Sequence, residues 1–133
     1  MRYLLDTNAC ADYLNGRYPA VVQRIQDASP DDIATSSVVA AELRYGAEKS
    51  ARPEKNHSRL DILLSEVRCL DFDLAAASAY GALRVDLERR GRPIGAHDLL
   101  IAGHAISTGL ILVTDNVREF IRIKGLTVEN WRR

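Results

Sequence analysis

Four acidic residues, Asp6, Glu42, Asp98 and Asp115, each stand at the end of a strongly apolar stretch or just inside one. Asp6 closes Tyr3-Leu4-Leu5 and opens Thr7-Asn8, while Asp115 follows Leu110-Ile111-Leu112-Val113 through Thr114 and leads to Asn116. Carboxylates beside apolar segments are costly to bury unless something pairs with them, and a cation can pair with several at once. Neither a CxxC motif nor a paired-histidine motif accompanies these acids. They therefore make a hard oxygen site suited to Mg²⁺, with Mn²⁺ as a substitute, rather than to zinc. Such an ion lowers the pKa of a bound water and offsets charge on a phosphate, which points to phosphodiester hydrolysis. Thr7, Asn8, Ser36 and Thr114 adjoin the acids in sequence or on neighbouring strand ends and are suited to orient ligands or bound waters.

Taken singly, the acids have plainer roles. Asp6 and Asp115 suit helix N-caps, and Glu42 suits a solvated helix face. Asp98 fits a plain role less well, because the helix that follows it, Leu99 to Ile106, is apolar on nearly every side. The conjunction points to a site.

The elements that must position these residues alternate short apolar runs with helical periodicity, the pattern of a parallel α/β sheet. Strands are expected near residues 2–5, 32–35, 67–70, 110–114 and 126–129. Asp6 and Asp115 then lie at carboxyl ends of strands, where the ligand crevice of an open α/β sheet forms. Helices are expected over 7–15, stopped by Gly16, and from Pro19 to Ala28 with Val21, Val22 and Ile25 inward. Ser36 or Ser37 caps a third that carries Val39, Leu43 and Ala47 on one side and Glu42 at its border. The polar stretch from Ser50 to Ser58 reads as an exposed connection or a fraying helix start, the most mobile-looking part of the chain, with His57 on the surface. Asp73 caps a long helix that runs through Arg90 and ends at Gly91-Arg92-Pro93. The helix after Ile94 packs closely through its alanines and glycine, with Asp98 in its first turn facing the positive end of the dipole. His97 and His104 flank it as core or edge residues.

At 133 residues and 47% hydrophobic, the chain makes one domain over residues 1–133. Eighteen basic residues balance eighteen acidic ones, so no global positive field announces a nucleic-acid partner. Local basic groups remain. Arg89, Arg90 and Arg92, with Arg84, are placed to track a phosphate backbone, as are Arg118, Arg122 and Lys124, although a solvated helix face suits either set equally. Cys10 and Cys69 form no disulfide framework and read as two buried thiols in a reducing compartment. The first residues carry too little apolar length for a signal peptide, and no stretch spans a bilayer, so a soluble cytoplasmic protein without membrane contact is expected. No phosphate-binding glycine loop is present, which leaves nucleotide-cofactor readings without support.

Several motifs in register over nearly the whole chain resemble the PIN-domain ribonucleases, and among them the VapC toxins of toxin-antitoxin modules. They are Tyr3-Leu4-Leu5-Asp6-Thr7-Asn8, Ser36-Ser37 through Ala41-Glu42-Leu43 and Gly46-Ala47, Gly91-Arg92-Pro93-Ile94-Gly95 leading to Asp98 and Ile101-Ala102, and Val113-Thr114-Asp115-Asn116 with Arg118-Glu119-Phe120, ending near Trp131. The resemblance implies a single PIN domain, a parallel central sheet of about five strands flanked by helices, with Asp6, Glu42 and Asp98 as metal-binding acids. It implies Mg²⁺-dependent endonucleolytic cleavage of RNA that leaves a 5′-phosphate and a 3′-hydroxyl, with initiator tRNA, cut in the anticodon loop, as the substrate hypothesis. Many PIN domains carry their fourth acid where this chain has Asn116, one residue after Asp115. Asn116, also found there in many VapC toxins, occupies the family position and Asp115 supplies a charge beside it; either is the candidate fourth ligand, and one firmly held ion is expected. The resemblance further implies a homodimer, a larger toxin-antitoxin assembly, and a VapB-like antitoxin whose C-terminal segment occupies the active site, often presenting an arginine to the acids. Two other readings compete: a catalytically silent PIN domain that binds RNA or a partner protein, and a receiver-like signalling domain, disfavoured because Lys124 follows a helix.

Overall fold

The computed structural model describes residues 1–133. Strands β1 (Tyr3–Leu5), β2 (Ile33–Ser36), β3 (Arg68–Leu70), β4 (Ile111–Val113) and β5 (Val128–Glu129) form one sheet in the order β3-β2-β1-β4-β5. Every pairing is parallel. The strand runs are apolar rather than alternating because both faces of the central strands are covered: Leu4, Leu5, Ala34, Leu112 and Val113 are buried. All five expected strands are present, each within about two residues of its expected bounds.

Helices α1 (Thr7–Asn15), α2 (Pro19–Asp27), α3 (Ser37–Lys49), α4 (Pro53–Glu66), α5 (Leu74–Arg89), α6 (Ala96–Thr108) and α7 (Val117–Phe120) supply the covering layers. Local chemistry starts several of them. Asp6, Ser36 and Asp73 accept the N–H groups of Ala9, Val38 and Ala76 at 2.8, 3.0 and 2.9 Å. Gly16 and Gly109 end α1 and α6 with φ of 62° and 71°, a left-handed conformation that side chains resist.

Of the two forms expected for the polar stretch after Ser50, the structure has the helix start, with Ala51, Arg52, Glu54, Lys55 and Ser58 exposed. Helix α4 begins at Pro53, and Asn56 donates to Ser50 Oγ at 2.8 Å. His57 is half-buried rather than on the surface, with Nε2 2.8 Å from Glu48 and Nδ1 3.1 Å from Arg44. Polar pairs to Arg44, Glu48 and Ser50 tie this helix start to the end of α3 and its C-cap. Helix α7, only one turn long, has no counterpart in the sequence reading because four residues carry no periodicity.

The chain order places the switch of direction between β1 and β4. Leu5 pairs with Val113 on one side and with Thr35 on the other, and Asp6 N–H donates to Val113 O at 3.0 Å. Asp6 therefore stands one step past a fixed register, beside Thr114, where open α/β sheets bind ligands.

Helices α5 and α6 pack so closely that a Cβ on Gly103 would lie 2.9 Å from Tyr80 N and 3.0 Å from its Cα. Gly46, on the exposed face of α3, has nothing within 4 Å. Gly103→Ala is expected to destabilise by about 1–3 kcal/mol through backbone overpacking. Gly46→Ala is expected to stabilise by roughly 0.5–1 kcal/mol through helix propensity. Denaturant unfolding of both variants checks the pair, and a neutral Gly103→Ala would contradict the close α5–α6 contact.

Candidate active site

Acids from four elements meet at the carboxyl end of the sheet. Asp6 ends β1 and is buried, with Oδ1 committed to the Ala9 N–H at 2.8 Å. It is thus a helix cap and a site candidate at once. Burial pushes its pKa up to about 7, helped by the charges of Asp115 and Asp98, and the hydrogen bonds from Thr114 and Ala9 only partly offset this. Asp98, in the first turn of α6, is half-buried and also raised, first by burial and then by Glu119, with His97 opposing and Glu42 and Asp115 adding. Burial comes first at both Asp6 and Asp98, neighbouring acids add to it, and His97 offsets only part of the rise at Asp98.

Glu42 reaches in from α3. Thr7 Oγ1, in the first turn of α1, donates to Glu42 Oε2 at 2.6 Å. The same oxygen is in direct contact with His97 Nε2, which is sealed from solvent. His97 is therefore a partner of a candidate acid rather than the core or edge residue expected from its flanks. His104 fits its expectation: buried, its pKa lowered by desolvation, it bonds Ser36 Oγ through Nδ1 at 2.7 Å and packs edge-on against Phe72.

Asp115 lies at the rim, beyond β4. Its Oδ1 accepts from Asn8 Nδ2 at 2.9 Å and its Oδ2 lies 3.0 Å from Arg132 Nη1. Asn116 turns its amide to Glu119 Oε2 at 2.8 Å, and its backbone N–H donates to Thr114 Oγ1 at 3.0 Å. Glu119 is the acid that sequence reasoning missed. The signal was there: an asparagine followed three residues later by glutamate is the spacing of a helix start whose third residue turns back to its cap. In this short helix the return contact joins the two side chains.

The other expected residues divide. Thr7, Asn8 and Thr114 touch candidate acids, whereas Ser36 is committed to capping α3 and to His104. Arg89 and Arg92 are exposed, but Arg90 is tied to Asp86 at 2.8 Å and to the Arg122 carbonyl at 2.7 Å. That side chain pins the end of α5 to the loop after α7 and is not free to follow a phosphate backbone.

As arranged, the acidic side chains of the site do not form a closed set of three metal ligands. Its donors nevertheless fit a hard divalent cation in kind: carboxylate oxygens from several elements, two of them with ionisation disfavoured by burial and mutual repulsion. A cation would relieve both, once Glu42 turns from His97.

The PIN domain family model matches residues 3–126. The chain is 44% identical over 131 residues to the tRNA(fMet)-specific endonuclease VapC of Shigella flexneri, covering 98% of each. It is 46% identical over 132 residues to Ribonuclease VapC2 of Rickettsia felis, again covering 98% of each. DNA-bound VapBC from Salmonella typhimurium superposes with a TM-score of 0.93 at 40% identity, covering 98% of each chain.

The raised Asp6 predicts a pH signature. A carboxyl whose folded pKa lies above its unfolded value stabilises the fold at low pH and loses that contribution as pH rises from about 4 to about 7. Asp6→Asn keeps the cap but removes the titration. In chelator, its unfolding temperature should exceed that of the parent chain by several degrees at pH 8, with the gap shrinking toward pH 4. A gap independent of pH would contradict the assignment.

Proposed function

The chain belongs to the PIN-domain family and is a VapC-type endoribonuclease of toxin-antitoxin modules, and we propose that its four-element acid cluster hydrolyses tRNA with a bound Mg²⁺. Asp6, Glu42 and Asp98 hold the ion in this reading, with Asp115 and Asn116 at its flank and Mn²⁺ able to substitute. When bound, the ion supplies Lewis-acid polarisation of a phosphate and acidifies a water ligand. The observation that carries the reading is geometric: Asp6 is buried at the switch point beside Thr114, with Asp115 and Asp98 near enough to add to the rise that burial gives its pKa.

The chain's own residues do the positioning. Thr7 orients Glu42, Asn8 orients Asp115, and Thr114 supports Asp6. Water adds to phosphorus and the bond to the 3′-oxygen breaks, leaving a 5′-phosphate and a 3′-hydroxyl, so the ribose 2′-hydroxyl takes no part as nucleophile. Exposed Arg89 and Arg92 meet the RNA backbone as sequence-independent contacts.

The substrate proposed is initiator tRNA, cut in the anticodon loop, in keeping with the specificity that the Shigella flexneri relative's name states. The partner is a VapB-type antitoxin, supported by the VapBC complexes to which the fold is similar. Its C-terminal segment is proposed to lie across the acids, where a guanidinium makes charge-assisted, bidentate hydrogen bonds. A homodimer within a larger assembly, in the cytoplasm, completes the proposal. No helix is long and apolar enough to cross a membrane.

Purified tRNA provides the test. Asp98→Asn should lower the single-turnover cleavage rate at least about a hundredfold, the scale of removing an electrostatic stabiliser of the transition state. Excess chelator should act likewise on the parent chain, and tRNA binding should survive in the variant. Cleavage that persists in Asp98→Asn or in chelator overturns the reading, and binding by the parent chain without products favours the silent-domain alternative.

A further inference from the structure

Arg132 is the only arginine or lysine paired with an acid of the cluster. Contacts on several sides hold it there. Trp131, buried, packs edge-on against Tyr3 with ring centroids 4.9 Å apart, which fixes the tail against the amino-terminal side of β1. Arg132 Nε and Nη2 donate to the two oxygens of Asp12 at 2.8 and 3.1 Å, and the guanidinium lies 4.1 Å from the Tyr18 ring centre. Asp12 is itself buried, at 6% exposure, so this fork also compensates a carboxylate that could not remain unpaired.

Pinning the tail needs only Asp12. The remaining nitrogen, Nη1, reaches Asp115 Oδ2, while Asn8, one turn before Asp12 on the same face of α1, holds Oδ1. Both oxygens of Asp115 are thus engaged by neutral or cationic donors from α1 and the tail. No such donor reaches Asp98, and Asp6 has only the Ala9 N–H and the Thr114 hydroxyl.

We propose that Arg132 is a positioning residue that holds Asp115 as a charge-balanced neighbour of the metal site and keeps it from becoming a ligand, so that the cluster takes one divalent cation. The inference rests on the reading of the acids as a metal site. It assigns the fourth acid a state set by residues at the far end of the chain and not by its own strand.

Mn²⁺ binding by calorimetry on the purified chain, at constant ionic strength and pH 7.5, tests it. The parent chain is expected to bind one Mn²⁺. Arg132→Gln releases Asp115 and should tighten Mn²⁺ about tenfold or add a second Mn²⁺, the scale of one partly screened charge beside a divalent ion. The change should shrink at least threefold in an Asp115→Asn background, because the effect passes through that carboxylate. Should loss of the Asp12 pair unfold Arg132→Gln, Arg132→Lys serves: a single ammonium satisfies buried Asp12 without the planar fork and should reproduce the shift. Unchanged affinity and stoichiometry in the folded variant, or an equal shift with and without Asp115, overturns the inference. A parent chain that binds no Mn²⁺ overturns the metal reading and this inference with it, which separates the two failures.

Discussion

Negative charge concentrated where β1 and β4 end is the constraint around which the rest of the molecule is arranged. The register of these two strands leaves no freedom. Leu5 opposite Val113, and the Asp6 N–H on the Val113 carbonyl, place a carboxylate beside Thr114 at the point where the strand order reverses. Apolar packing of Leu4, Leu5, Leu112 and Val113 holds that geometry, and the same packing removes the water that would have solvated Asp6. Fold stability and the strained ionisation of Asp6 therefore have one origin.

The surrounding groups manage this charge unevenly. Glu42 has a hydroxyl and an imidazole beside it, and Asp115 has an amide and a guanidinium. Asp6 and Asp98 keep raised pKa values, and Glu119 adds to the repulsion on Asp98. The centre of the cluster is thus left short of positive charge while its edges are balanced. An arrangement of this kind sacrifices stability in the free protein and recovers it on binding a cation. It also favours a guanidinium from a partner, so one charge deficit serves both the proposed chemistry and its proposed inhibition.

Much of this was legible in the chain. Apolar runs ending in Asp6 and Asp115 expose the strand ends, because a central parallel strand buried on both faces has no polar alternation to disguise it. Helical periodicity places Glu42 at the border of α3 and Asp98 in the first turn of α6, while their reading as members of one site comes from the conjunction of acids and the family resemblance. The unread parts are pairs far apart along the chain and one element too short to show a period. Arg132 lies 120 residues from Asp12, and nothing local in either segment announces the pair. Helix α7 is too short for periodicity, which concealed Glu119, and His97 met Glu42 only after α3 and α6 were brought together. The stretch after Ser50 is the helix start that its composition allowed, and only His57, half-buried against Glu48 and Arg44 of α3, departs from the expected surface position.

The chemical nature of the cut ends tests the central claim most directly. Water attacking phosphorus beside a divalent ion leaves a 5′-phosphate and a 3′-hydroxyl on initiator tRNA fragments, and leaves no fragments when the ion is chelated. End-group mapping of those fragments with and without Mg²⁺ should show that pair of ends in Mg²⁺ alone. A 2′,3′-cyclic phosphate, or cleavage undiminished by chelator, would contradict the account.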